Sequence, residues 1–183
     1  EQSMVRCLCY ANEFDIEGLV ATTSCWLRDS VAHEQITERV VAYGQVRDNL
    51  LAHAEGYPEE QRLHDLTMTG VTRYGMEGVG EDMDSDGSRR IIAAADADDP
   101  RPVWICVWGG VNCLAQALWS VRETRSREDV AAFVAKLRVY TISDQDDSAP
   151  WIRREFPMLF YIVSPGYEER GGGAYHHATW VGI

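Results

Sequence analysis

The sequence predicts an α/β fold, with a doubly wound, mostly parallel sheet and helices on both faces. Residues 103–108, 137–142 and 158–163 are apolar along almost their whole length, which is typical of strands buried on both faces. Helical segments separate these strands, as the crossover connections of a parallel sheet require. The 183 residues fit one domain, which we place over residues 1–183.

Hydrophobic periodicity and turn residues place the elements of the first half of the chain. Met4, Leu8 and Ala11 recur at helical spacing, and Gly56-Tyr57-Pro58 ends a long periodic segment. The expected elements are a helix over 3–11, a strand over 15–23, a long helix over 34–54, a short helix over 59–66, a loop over 70–87 with one helical turn, and a helix over 89–95 capped by Asp86-Gly87-Ser88.

The second half follows the same alternation. Pro100 and Pro102 precede a strand, and Ser126 with Asp129 resembles a capping box at a helix start. The expected elements are strands over 103–108, 137–142, 158–163 and 178–183, helices over 112–121, 126–136 and 150–155, and a flexible loop at Gly171-Gly172-Gly173. Because the chain then starts inside a helix and stops inside a strand, we expect a fragment truncated at both ends.

The charge balance argues against two classes of partner. Seventeen basic and twenty-nine acidic side chains give a formal charge of -12, which repels phosphate backbones and anionic lipid. No apolar run approaches the roughly 18 residues of a membrane span. We therefore expect neither a nucleic-acid partner nor a membrane protein.

The five cysteines do not form a metal-binding pattern. Cys7 and Cys9 make a C-x-C pair, and no second pair follows at zinc-finger spacing. We interpret the cysteines as small buried hydrophobic residues, which suits a reducing compartment.

Polar residues follow three of the predicted strands. They are Thr22-Thr23-Ser24-Cys25, Gly109-Gly110-Val111-Asn112 and Ser143-Asp144-Gln145-Asp146-Asp147. Ligands of doubly wound sheets bind where the strands end, and glycines before a helix let backbone groups approach a ligand. Clustered carboxylates suit a hard cation, sugar hydroxyls or a general base.

Each feature also has a simpler interpretation. An Asp-rich loop is most often a solvated turn, Gly-Gly before a helix a tight turn, and Asn112 a helix cap. Three such features at the carboxyl ends of one predicted sheet together favour a ligand site.

Three long runs carry a family resemblance. They are S-M-V-R with Y-A-N-E-F-D-I-E-G-L-V-A-T in 3–22, D-D-P-R-P with V-W-G-G-V-N-C-L-A-Q-A-L in 98–118, and Y-T-I-S-D-Q-D-D in 140–147. The chain resembles the nucleoside-hydrolase-like domain of bacterial cellulose-binding-type proteins over nearly its whole length. It is similar, more distantly, to the inosine–uridine nucleoside hydrolases.

The resemblance implies calcium-dependent attack of water on a glycosidic carbon, with one aspartate as the base. It implies a sugar or nucleoside-like small molecule as substrate, or plant-cell-wall carbohydrate. The site residues that it implies are Asp146 and Asp147 as catalytic groups, Asn112, Asp144, Ser24 and Glu77 as substrate-binding groups, and the backbone carbonyl of Val111 as a calcium ligand.

The sequence departs from the family pattern at several positions. Ser24 or Cys25 stands where the family has an asparagine, and residues 75–80 resemble the substrate-covering loop without its histidine. The family's aspartate-rich calcium loop and late His-Asp pair are absent, and adjacent His176 and His177 would point to opposite faces of a strand. We therefore expect this chain alone to lack its main calcium ligands and to show no glycosidase activity.

Two functional classes remain open. The first is a hydrolase of N-ribosidic or related glycosyl bonds in the complete parent protein, and the second is a non-catalytic carbohydrate-binding domain. The resemblance points to an exported protein, whereas the free cysteines point to a reducing compartment, so localisation stays open.

Overall fold

The structure is a computed structural model that describes residues 2–164. Within that range helices and strands alternate along the chain. The helices are α1 (Gln2–Cys9), α2 (His33–Leu51), α3 (Glu60–Asp65), α4 (Asp86–Asp96), α5 (Asn112–Thr124), α6 (Arg127–Lys136) and α7 (Ser148–Glu155), with 3₁₀ turns at Ala11–Glu13 and Gly75–Gly78. The strands are β1 (Leu19–Ala21), β2 (Thr67–Thr69), β3 (Val103–Val107), β4 (Leu137–Ile142) and β5 (Phe160–Ser164).

Every strand pairing among these residues is parallel, which confirms the predicted α/β class. The strands form two hydrogen-bonded groups, β1-β2 and β3-β4-β5. In the larger group Val103 lies opposite Leu137, and Arg138 lies opposite Phe160. Just beyond the carboxyl ends of the strands, the Gly110 N–H donates to the Thr23 carbonyl at 2.7 Å. This bond joins the two groups at the edge where a ligand site is expected.

Two hydrophobic clusters hold the layers together. The larger one packs α4, α5, α6 and α7 against the three-stranded sheet, and Leu118, Val139 and Ile152 are fully buried in it. The smaller one packs α1, α2 and α3 together, with Val40 and Leu63 fully buried. Burying a leucine or isoleucine side chain stabilises a fold by about 1.5–3 kcal/mol, so these clusters fix the strands whose ends form the site.

The two faces of β3-β4-β5 differ in their burial. Val103, Ile105 and Val107 point toward the larger cluster, whereas the alternate residue Trp104 is 55% exposed and packs edge-to-face on Phe160 with ring centroids 5.9 Å apart. Within residues 2–164, these apolar strands are therefore covered by the larger core on one face only.

Most predicted elements are present, with shifted boundaries. The strand predicted over 15–23 is only β1, and β2 falls between a predicted helix and a predicted loop. The predicted cap of α4 was wrong: Ser85 is the N-cap, because its hydroxyl accepts the Ser88 N–H while the Ser88 hydroxyl accepts the Ser85 N–H. The loop at Gly171-Gly172-Gly173, the strand over 178–183 and the histidines at 176 and 177 lie outside the described residues.

The cysteines are less buried than predicted. Cys113 is buried, but Cys7 and Cys25 are half-buried and Cys9 and Cys106 are exposed; all five are free thiols. The apolar residues next to these cysteines suggested burial, but the short elements that carry them have one side facing solvent. Among residues 2–164, no helix has both the length and the hydropathy that crossing a membrane requires.

Candidate functional site

The loops that follow β1, β2, β3 and β4 meet around one buried side chain, Gln145. Gln145 is 4% exposed, and its amide nitrogen donates to the Trp108 carbonyl at 2.8 Å and to the Ile142 carbonyl at 3.3 Å. The Cys25 thiol donates to the side-chain amide oxygen of Gln145 at 3.5 Å, and the Tyr74 hydroxyl donates to the backbone carbonyl of Gln145. We call this arrangement the Gln145 hub, since it ties four loops together at the carboxyl edge of the strands.

Asp146 lies beside the hub and is buried, with 6% of the residue exposed. One carboxylate oxygen accepts the Ser148 N–H at 3.0 Å and the Ser148 hydroxyl, and the other accepts the Asn112 N–H at 3.3 Å. Ser148 begins α7 and Asn112 begins α5, so the carboxylate joins two helix N-termini, where negative charge is favoured.

Burial raises the pKa of the Asp146 carboxyl, and the hydrogen bonds from Ser148 and Asn112 oppose that rise. Because both oxygens are engaged, the carboxylate holds the loops in place. The sequence motif alone did not separate this buried aspartate from its neighbours.

Asn112, predicted to bind substrate, is also committed inside the protein. It is 1% exposed, and its side-chain amide donates to the Thr23 hydroxyl at 3.2 Å and to the Arg73 carbonyl at 2.8 Å. It is the first residue of α5 and not its cap, since Val111 occupies that position. The amide therefore binds the loops after β1 and β2 to the start of α5.

Two glycines allow these carboxylates to approach the backbone. A Cβ on Gly110 would lie 2.4 Å from an Asp146 carboxylate oxygen and 2.8 Å from the Thr23 carbonyl. A Cβ on Gly75 would lie 2.0 Å from an Asp147 carboxylate oxygen, and Gly75 has a φ of +55°. Gly110, the second glycine before α5, is therefore required by close packing on Asp146, beyond its role in a turn.

Asp147 differs from Asp146 because it is exposed. One of its carboxylate oxygens accepts the Met76 N–H at 2.8 Å, which joins the loop after β4 to the 3₁₀ turn Gly75–Gly78. Glu77, predicted to bind substrate, is exposed on the same turn. The structure thus brings two of the predicted site carboxylates to the solvent-facing rim.

Asp144 and Ser24 have other partners. Asp144 forms a bidentate ion pair with Arg153 of α7, at 2.9 and 2.6 Å. The Ser24 hydroxyl accepts the N–H groups of Trp26 and Leu27 at 3.2 and 3.1 Å and so closes a tight turn. Both side chains shape the loops of the site.

The described residues do not fit a calcium ion by themselves. Residues 2–164 contain no group of three or more His, Cys, Asp or Glu side chains that could hold a metal. Val111, the predicted carbonyl ligand, is buried, and its carbonyl accepts the Ala115 N–H of α5 at 3.0 Å. Asp146 is buried, and both of its carboxylate oxygens already accept hydrogen bonds from N–H and O–H donors.

A protein-family model, "Cellulose-binding Sde182, nucleoside hydrolase-like domain", matches residues 1–183. The chain belongs to this Sde182 family. The resemblance seen in the three sequence runs is thereby confirmed. No curated protein sequence matches the chain.

A solved structure that is similar to this chain supports the same fold. It is that of a nucleoside hydrolase-related hypothetical protein from Saccharophagus degradans that is associated with carbohydrate metabolism, with 44% identity and a TM-score of 0.87. The match covers 95% of this chain and 43% of that protein, so the chain spans less than half the length of this relative.

Sequence reasoning missed the residues that organise this site. Gln145 lies inside the run of aspartates and Thr23 inside the polar run that follows β1, but neither was assigned a role. Tyr74 lies in a segment interpreted as loop. A neutral amide in the middle of a carboxylate run was the available signal, because such a side chain can both donate and accept at a junction of loops.

Proposed function

We propose that this chain binds carbohydrate at the carboxyl edge of its parallel strands. The observation that carries the proposal is the exposed Asp147 carboxylate, held at one oxygen by the Met76 N–H on a rim fixed by the Gln145 hub. A charged acceptor in a fixed position suits sugar hydroxyls, whose hydrogen bonds to carboxylates are stronger than those to neutral groups. The family description, cellulose-binding, supports this ligand class.

Hydrolysis of a glycosyl bond by metal-assisted attack of water, in the longer protein, is the second candidate. The exposed Asp147 carboxylate favours it, because one of its oxygens is fixed by the Met76 N–H and it lies on the rim of the site, where a general base would have to reach water. The calcium that the resemblance implies would need ligands from outside residues 2–164, so no step is routed through it.

Cellulose pull-down and calorimetry with cellohexaose test the binding proposal. We expect the intact protein to bind both and to keep binding in excess EDTA. Asp147→Asn should weaken cellohexaose binding about tenfold, since a hydrogen bond to a charged acceptor contributes about 1.5–3 kcal/mol and a neutral amide replaces only part of it.

Asp98→Asn is the matched control. Asp98 is also exposed, but it precedes β3 and so lies at the amino ends of the strands, opposite the site. Equal affinity of the two variants, or no binding by the unsubstituted protein, would overturn the proposal. Calcium-dependent release of free sugar from a riboside or cello-oligosaccharide, lost in Asp147→Asn, would establish the hydrolase instead.

A further inference from the structure

Trp26 is unusually exposed for a tryptophan. With 81% of the residue accessible, it is far more exposed than Trp104 at 55%, and it follows the carboxyl end of β1. Leaving an indole in water forgoes the stabilisation that its burial would contribute, at about 25 cal/mol per Å² of apolar area. Exposed aromatic residues at the mouth of a site are a common means of ligand recognition.

The turn that carries Trp26 is held by its own hydrogen bonds. The Ser24 N–H donates to the Leu27 carbonyl at 2.9 Å, and the Leu27 N–H returns a bond to the Ser24 carbonyl at 3.1 Å. The Ser24 hydroxyl accepts the N–H groups of Trp26 and Leu27. A side chain on such a closed turn loses little backbone freedom when it binds, which favours affinity.

Both sides of the turn are fixed to the site. Cys25 bonds to Gln145, and the Arg28 side chain donates to the Cys25 carbonyl at 3.4 Å while its guanidinium lies 4.7 Å from the centre of the Tyr74 ring. Tyr74 in turn bonds to the Gln145 carbonyl, two residues before Asp147. One hub therefore positions the exposed indole and the exposed carboxylate on loops of the same edge.

We infer that Trp26 is the stacking platform of the carbohydrate site, with its indole against the apolar face of a pyranose ring. This inference rests on the proposed binding function and adds the residue that contacts the sugar ring, since the pyranose rings of a β-linked glucan present apolar C–H faces and equatorial hydroxyls. The indole takes the C–H face, and Asp147 accepts hydrogen bonds from hydroxyls at the ring edge. The same arrangement gives no role to the aromatic pair Trp104–Phe160, which lies on the sheet face that the larger core leaves uncovered within residues 2–164.

Calorimetry of the intact protein with cellohexaose separates these two aromatic surfaces. We expect Trp26→Ala to weaken binding about tenfold, as truncation of a central interface tryptophan commonly does. Trp26→Phe should keep most of the affinity because it preserves an aromatic face. Trp104→Ala, the matched control, should bind as the unsubstituted protein does, and circular dichroism should show each variant folded.

The outcomes are distinct. If the unsubstituted protein binds and Trp26→Ala binds equally well, the inference is overturned while the proposed function stands. Loss of binding in Trp104→Ala with retention in Trp26→Ala also overturns it and moves the contact to the sheet face that carries Trp104. Absence of binding by the unsubstituted protein overturns the proposed function, and the inference with it.

Discussion

Replacing Gln145 with leucine tests whether the hub holds the loops together. Leucine has nearly the same volume, so Gln145→Leu removes hydrogen bonds without leaving a cavity. The 2.8 Å bond to the Trp108 carbonyl is only partly buried and is worth about 1 kcal/mol, whereas loss of the 3.3 Å bond to the Ile142 carbonyl leaves a buried acceptor unpaired and costs about 2 kcal/mol. The greater hydrophobicity of leucine offsets part of this, so we expect a net loss of about 2 kcal/mol.

Differential scanning calorimetry measures the loss directly. For a chain of this length about 2 kcal/mol lowers the melting temperature by roughly 4–8 °C. Gln61→Leu is the control, because the Gln61 amide is exposed on α3 and bonds only across one helical turn to Asp65 at 2.8 Å. Equal melting temperatures for the two variants would refute the structural role of the hub.

Two further predictions concern the buried aspartate. Gly110→Ala should lower the free energy of unfolding, measured by urea titration, by about 2–3 kcal/mol, because the new Cβ would lie 2.4 Å from an Asp146 oxygen. Gly70→Ala is the control and should change that free energy little, because its Cβ would have no neighbour closer than 3.5 Å. Burial raises the pKa of the Asp146 carboxyl above its ordinary 3.8, so above that pH the folded protein binds more protons than the unfolded protein does. The free energy of unfolding of the unsubstituted protein, measured relative to that of Asp146→Asn, should therefore fall as the pH rises from about 3 to 6. An increase in this difference with pH would contradict the assignment.

The sequence was most informative where a pattern is local. The strand β4 follows from a run of mostly apolar residues that only Arg138 and Thr141 interrupt. The start of α6 follows from Ser126, whose hydroxyl accepts the Asp129 N–H at 3.1 Å. The strand β2 could not be predicted in the same way, because Thr67–Thr69 is short, half-buried and defined by its pairing with β1. Its strand character comes from a neighbour almost fifty residues earlier.

The sequence predicted that polar side chains gather at the carboxyl ends of the strands, but it did not predict the different environments of those side chains. A run of three aspartates in four positions says that carboxylates gather there. Which one is buried depends on where α5 and α7 begin, and which one pairs with Arg153 depends on the direction of α7. Those are tertiary facts, so the sequence could not distinguish Asp146 from Asp147, which were both predicted to be catalytic, or foresee that Asp144, predicted to bind substrate, pairs with Arg153.

The burial pattern of these residues also supports the proposed ligand site over an ordinary solvated turn. A solvated turn needs no buried amides or carboxylates, and each such group is destabilising unless its hydrogen bonds are satisfied. Here Asn112, Gln145 and Asp146 are all buried, and every one bonds to a loop other than its own. Apolar side chains could join four loops more simply. Hydrogen bonds from polar groups instead fix the position of the backbone of each loop. The exposed side chains that these loops carry include the Asp147 carboxylate and the Trp26 indole. That combination suits the sugar recognition that we propose.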